Sequence, residues 1–471
     1  MIQVGRIEIY RTDLRTRMPF RYGIATMVDV PHVFLRLELR TPSGSSAGFS
    51  ADHLPPKWFT KDPDRDPMDE IEEMLAVIHH AVSLAENRDA PTPFDFWWRL
   101  YHDQAGWALE QGLPPLLTHF GVTIVERALI DAWCRARGTP FPEAVHSNLL
   151  GLDLGRIHKY LTDRLPGDLL PDEPPDSINI RHTVGLSDPL READIAPEDR
   201  LADGLPQSLE ACIRTYGLTH FKLKVQGDPE RDLPRLREIA QVLEEQIPGR
   251  ALASLDGNEG FQTAEAFLEF WREICTDPKL HRLLSHLLFV EQPLHRGIAL
   301  ETAIHPITRP DGTPCPVIID ESDAELASLP RALDLGYTGT SHKNCKGVFK
   351  GIANRCLIQF LENRGEGPLL MSGEDLANVG PIALLQDLTV QATLGITSVE
   401  RNGHHYFAGL SAFPENLQNA VVNAHGDLYR REPPEPAKLS IHRGRVSTRS
   451  MLAAPFGCGF KPELETFAQR V

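Results

Sequence analysis

The chain has 471 residues, 41% hydrophobic and 24% charged, an ordinary globular composition with room for one large domain and a smaller one. With 48 Lys and Arg against 65 Asp and Glu, the formal charge is −17, which argues against nucleic acid or an anionic membrane as a partner. A small anionic substrate stays open, because it responds to the local field of its site and not to the total charge.

Taken in chain order, residues 2–10 and 32–40 predict strands and "TPSGSSAG" (41–48) a turn into another, most simply an antiparallel meander. Residues 68–87 and 116–137 predict helices, the second closed by Gly138. A stretch rich in Pro, Asp and Leu follows at 151–177 and predicts a partly helical excursion. No apolar run approaches a membrane span, and "MIQVGRIEIYRTDL" has no signal-peptide pattern. Seven scattered cysteines without CxxC spacing point to a reduced, cytoplasmic protein.

From residue 178 onward, short apolar runs alternate with helical stretches. The runs are 178–186, 220–225, 251–258, 287–293, 316–322, 339–347, 369–375 and 396–403. This is the arithmetic of a (β/α)8 (TIM-like) barrel in an α/β protein. A doubly wound sheet is disfavoured because neither GxGxxG nor GxxxxGK[ST] occurs.

The active site of such a barrel lies at the carboxyl ends of its strands. Those ends carry Lys222 and Lys224, Asp256, Glu291, Asp320 and Glu321, Lys343, Glu374 and Asp375, and Glu400. In "FKLKV" the lysines alternate with Phe221, Leu223 and Val225, so they share one face of the strand. A surface strand would show the same pattern. The order Lys-x-Lys, Asp, Glu, Asp, Lys on five successive strand ends is harder to explain that way. Converging carboxylates need a cation, and hard oxygen ligands suit Mg²⁺, with Mn²⁺ as the alternative. With no converging histidines at these ends, zinc is disfavoured there. A lysine close to a metal ion and other lysines has a lowered pKa and can act as a base. The combination suits removal of a proton α to a carboxylate, with stabilisation of the enediolate.

These motifs resemble the enolase superfamily, in its mandelate racemase/muconate lactonizing enzyme branch. "FKLKV" resembles the family's KxK, "SLDGNEGF" its DxN strand, "FVEQP" and "IIDES" its next two metal-ligand strands, and "KNCKG" its KxxKxGG, here without the second glycine. The resemblance implies an α+β capping domain (1–150), the connecting excursion (151–177), the barrel (178–425) and a carboxyl-terminal segment returning to the cap (426–471). It implies Lys222, Lys224 and Lys343 as catalytic lysines, with Lys346 as the fallback for Lys343. It implies Asp256, Glu291 and Asp320 as metal ligands, Asp320 being preferred to its neighbour Glu321, which is expected to face the other way.

Cap loops at 17–27 and 48–59 would read the substrate, through Phe20, Tyr22 and His53 among others. Asn258, Glu321, Glu374, Glu400, Asn402 and His404 are further candidates for substrate binding, and His405 lies beside the last of them. The implied activity is a racemase or epimerase of a small carboxylate, working as a homo-oligomer. The same half-reaction in a dehydratase or cycloisomerase, or a barrel that keeps its metal without turnover, are the competing readings.

Overall fold

The amino-terminal alternation runs further than the predicted strands. A computed structural model, which describes residues 1–22 and 24–471, shows Ile2–Tyr22 (β1), Ala25–Thr41 (β2) and Gly44–His53 (β3) as an antiparallel meander. Along β2, Leu35, Leu37 and Leu39 are fully buried, while Arg36 and Glu38 between them are partly exposed. That is the period-two division of a half-buried strand. The expected cap loop at 17–27 is largely paired backbone. The ladder shifts register between Arg15 and Phe20, then continues from Phe20↔Met27 to Tyr22↔Ala25. Gly23 of this segment lies outside the described residues. In the second expected loop, residues up to His53 belong to β3. Residues 20–22 and 48–53 are extended because the strand pairing satisfies their backbone groups, while residues 54–59 leave the ladder as turns.

Three helices follow, the third packed on the meander and the first two packed on the third. Pro67–Ala85 (α1) starts at Asp66, whose side chain accepts from the Met68 amide. Pro93–Gln111 (α2), which the sequence reading missed, starts at Thr92 and stops at Gly112, where φ is 68°. Pro115–Arg137 (α3) is buried from Leu116 to Cys134 because it lies between β3 and the second domain. Gly48 permits that approach: a Cβ there would sit 2.1 Å from the Ala128 carbonyl oxygen. On the opposite side of α3, Glu126 accepts from the amides of Val348 (3.1 Å) and Phe349 (2.7 Å). Residues beyond Gly151 make only short helical turns, at Leu154–Ile157, Lys159–Leu161 and Pro166–Asp168. The strand Gln469–Arg470 pairs with Tyr10 and Arg11 on β1.

All eight predicted barrel strands are present. They are Ser177–Val184 (β4), His220–Lys224 (β5), Leu252–Asp256 (β6), Leu287–Glu291 (β7), Val317–Ile318 (β8), Gly339–His342 (β9), Leu370–Gly373 (β10) and Ser398–Glu400 (β11). They pair in parallel in sequence order, β11 returns to β4, and a parallel bridge Ile319↔Thr340 joins β8 to β9. The fold is a (β/α)8 barrel with an α+β cap. No described helix is long and apolar enough to cross a membrane.

Candidate active site

The alternation in β5 sends Phe221 and Leu223, both 0% exposed, outward against the helices and both lysines toward the barrel axis. Register places Lys222 beside Ser254 and Lys224 beside Asp256, and the next pairing places Asp256 beside Glu291. The lysine ammonium groups therefore meet acids from neighbouring strands. Lys222 Nζ donates to Glu291 Oε1 (2.8 Å), Glu374 Oε2 (2.9 Å) and Glu400 Oε2 (2.9 Å), and lies 3.1 Å from Asp256 Oδ2. Lys224 Nζ donates to the same Asp256 oxygen at 2.9 Å.

Across the barrel, Lys343 Nζ donates to Asp320 Oδ2 (2.7 Å) and lies 3.2 Å from Glu374 Oε2. Lys346 Nζ donates to Asp320 Oδ1 at 3.0 Å, so both lysines of "KNCK" reach one carboxylate. From β4, Arg181 donates to Glu374 Oε1 at 3.1 Å. Five buried cations thus face five buried carboxylates: Lys222, Lys224, Lys343, Lys346 and Arg181 against Asp256, Glu291, Asp320, Glu374 and Glu400.

This pairing sets the protonation states. Burial opposes the charge on Lys222, but the carboxylates around it outweigh burial and hold the ammonium well above the ordinary lysine value. Lys343, against Asp320 and Glu374, is raised in the same way, and Lys224, against Asp256, is also raised. The sequence predicts a lysine lowered toward neutrality by a bound metal ion; the facing acids by themselves favour the ammonium form of all three. Burial works against Asp320 and Glu400 too, yet the lysines hold both carboxyls well below their usual range. Glu291 goes the other way, raised by burial and then by Glu374.

Glu291, Asp320 and Glu374 each offer an oxygen within 4.8 Å of the others. Glu291 Oε2 is buried without a hydrogen-bond partner. An all-oxygen set with an unpartnered carboxylate oxygen fits a hard divalent cation such as Mg²⁺. Asp256 is oriented differently: Oδ2 meets both lysines, and Oδ1 accepts from the Asn258 amide at 2.8 Å.

Above this floor is a cavity of about 60 Å³ between the barrel and the cap. Phe20, Tyr22, Asn258, Glu321, Glu400 and Asn402 line it with the three lysines Lys222, Lys224 and Lys343. Asp320 and Glu321 both reach it, contrary to the expectation that neighbours face opposite ways. The strand β8 ends at Ile318, so strand alternation no longer governs the two acids. Burial, then repulsion from Asp320, pushes the Glu321 carboxyl up to about 7. Glu374 and Glu291 lie in the floor, outside the lining.

Two candidates for substrate binding are elsewhere. His53 is fully buried in the cap, its Nδ1 3.0 Å from the Leu376 carbonyl oxygen. His404 packs behind the mouth, its Nε2 3.2 Å from His182 Nδ1. The turn after β11 curls outward from Gly403 to Tyr406 and takes both His404 and His405 away from the cavity.

Several lining residues were not found from the sequence. Lys57, Lys61 and Arg296 add cations at the rim. Arg296 donates to Glu259 and to the carbonyls of Trp58 (3.0 Å) and Phe59 (2.9 Å), and Lys61 donates to the Asn258 carbonyl (2.6 Å). These bonds hold the cap segment over the mouth. Trp58 sits with its ring centroid 4.8 Å from Lys343 Nζ. "PPKWFTKD" carried a signal in its two lysines, but no periodicity places them.

No family model and no curated protein matches the sequence. Solved structures match over nearly the whole chain. Muconate lactonizing enzyme from Pseudomonas fluorescens, complexed with muconolactone, is 18% identical, covers 99% of each chain and has a TM-score of 0.60. An unknown member of the enolase superfamily from Enterococcus faecalis V583 is 15% identical over 100% of this chain and 99% of its own, with a TM-score of 0.59. A dipeptide epimerase from Cytophaga hutchinsonii, complexed with Mg and the dipeptide D-Ala-L-Val, is 13% identical over 100% and 99%, with a TM-score of 0.55. At these identities the likeness establishes a common fold.

Proposed function

We propose that the chain is an enolase-superfamily enzyme that removes the proton α to a carboxylate and returns it, most simply as a racemase or epimerase. One observation carries the reading. Lys224 ends β5 and Lys343 directly follows β9, four strands away in a ring of eight, and both line the same cavity. A carbon held between them meets a lysine on each side, which is what proton removal from one face and return to the other requires. The solved relatives with this fold, a muconate lactonizing enzyme and a dipeptide epimerase bound to Mg, are consistent with it.

Glu291 and Asp320 would hold a divalent cation, with Glu374 or Asp256 as the third ligand. When bound, the cation supplies positive charge for the substrate carboxylate and the enediolate. Lys222 adds charge from below, in a site shielded from water by Phe20, Tyr22 and Trp58. Before reaction, Lys224 or Lys343 must release its proton to serve as the base, and the other lysine donates as an ammonium. The rim cations Lys57, Lys61 and Arg296 are each paired with a glutamate, Glu70 or Glu259, so none stands as a free charge at the mouth.

A dehydratase or cycloisomerase would need an acid beside the leaving group. Of Lys343, His404 and His405, only Lys343 lines the cavity, and it is already one of the two lysines assigned to proton transfer.

The test is α-proton exchange in D₂O with Mg²⁺, using pooled amino acids, N-acyl amino acids, dipeptides and acid sugars. Deuterium should enter at Cα without change in the carbon skeleton. Lys224→Ala should abolish exchange of one configuration and Lys343→Ala of the other. Loss of water from a substrate would point to the dehydratase reading. No exchange with any pool, in protein that still binds Mg²⁺, would favour a barrel without turnover.

A further inference from the structure

His404 and His405, turned away from the cavity, join a second cluster. His182 comes from β4, Cys212 from the helix Leu209–Tyr216, and His405 from the turn after β11. One ring nitrogen of each histidine and the cysteine sulfur lie within 4.8 Å of one another, and all three residues are buried. Cys212 Sγ and His405 Nδ1 are 3.5 Å apart. With Zn–S of about 2.3 Å and Zn–N of about 2.0 Å, a tetrahedral site has an S···N edge of about 3.5 Å. The pair already stands at that separation.

Three imidazoles and a thiol brought together away from water are costly unless each polar atom finds a partner. Beside the cluster, His404 Nδ1 is buried without a hydrogen bond, and it is not one of the three ligating groups. His182 Nδ1 is engaged with His404 Nε2, and a partner on the second ring nitrogen is what orients a ligating histidine.

We propose that His182, Cys212 and His405 form a zinc site separate from the barrel mouth, with His404 as a positioning residue that orients His182. The soft thiolate and two imidazoles select zinc over the hard cation suited to the carboxylates. On binding, the Cys212 thiol gives its proton to solvent and the sulfur ligates as thiolate. The site would tie the first barrel strand, the helix after it and the turn after the last strand into one unit. That unit supports the cap arm: Arg17 donates to the His405 carbonyl at 3.0 Å, and Tyr406 stacks on Phe20 at 4.1 Å between centroids.

The test uses the full chain, stripped with a chelator, kept reduced and titrated with Co²⁺ as a spectroscopic substitute. One equivalent should give a thiolate-to-cobalt charge-transfer band, displaced by Zn²⁺. The oxygen ligands of the barrel mouth cannot produce that band, so the outcome is independent of the proposed reaction. Cys212→Ser should remove the band. His404→Ala should retain it but weaken Zn²⁺ binding about 10- to 100-fold. No band in the unaltered protein with excess Co²⁺, or an undiminished band in Cys212→Ser, overturns the site. Unchanged affinity in His404→Ala overturns the role of His404.

Discussion

Lys222→Met is the sharpest perturbation of the barrel floor. The ammonium is 2% exposed and lies within 3.1 Å of carboxylate oxygens from Asp256, Glu291, Glu374 and Glu400. Methionine keeps most of the length and removes the charge, so the loss is electrostatic. Removing one partner of a buried ion pair costs about 3–5 kcal/mol, because the partner charge is left uncompensated. Here four acids lose a common counter-charge; Asp256 keeps Lys224, and Glu374 keeps Arg181 and Lys343. A loss of about 3–5 kcal/mol is therefore expected, and not a multiple of it. Urea unfolding followed by circular dichroism, in chelator, gives the value. Mg²⁺ should then recover part of it: a ligand at 100 times its dissociation constant adds about 2.7 kcal/mol. A variant within about 1 kcal/mol of the unaltered protein would refute the argument, since that is the range of an exposed pair. Adding Glu291→Gln to Lys222→Met should restore stability relative to the single variant, because Lys222 is the cation paired with Glu291 and that stranded charge is gone.

Three further outcomes follow from other parts of the molecule. Glu126→Ala strips the acceptor from two buried amides between α3 and the barrel and should cost about 2–4 kcal/mol, read by the same unfolding experiment, with Glu126→Gln retaining part of it. His119, stacked on Tyr101, is lowered by burial to about 3, so the folded ring stays neutral while the unfolded one takes a proton below about 6.5. The unaltered protein should lose about 1.4 kcal/mol per pH unit relative to His119→Phe as pH falls from about 6.5 toward 3, measured as paired unfolding curves; a constant difference would contradict the burial argument. Removal of divalent metal should abolish α-proton exchange, and Mg²⁺ or Mn²⁺ should restore it, measured by deuterium incorporation.

The barrel was legible because each strand is a short local pattern. "FKLKV" declares its two faces by alternation, and "FVEQP" and "IIDES" place an acid at the end of an apolar run. Arg181 was equally available: in "INIRHTV" it alternates with Ile180 and His182, the same argument that turned the lysines inward. Glu374 was noticed only for substrate binding. Its position beneath Lys222 depends on the depth of each strand in the barrel, which no local pattern records. Around residues 17–27 the sequence predicts a loop because Pro19 and Gly23 interrupt the alternation, while backbone pairing continues on either side. His182, Cys212 and His405 were invisible as a group because the topology alone joins strand one to the turn after strand eight.

The small cavity under the cap has a kinetic meaning. At about 60 Å³ it is well below the roughly 300–1,000 Å³ of a pocket that holds a drug-sized ligand. Entry of a molecule of that larger size would require the segment around Trp58 to lift, breaking the bonds from Arg296 and Lys61 that hold it. Observed association is then limited by how often the mouth is open, and apparent affinity falls by the closed fraction. For a chain that turns over as proposed, the bonds from Arg296 and Lys61 that close the mouth over the substrate would also time the departure of the product.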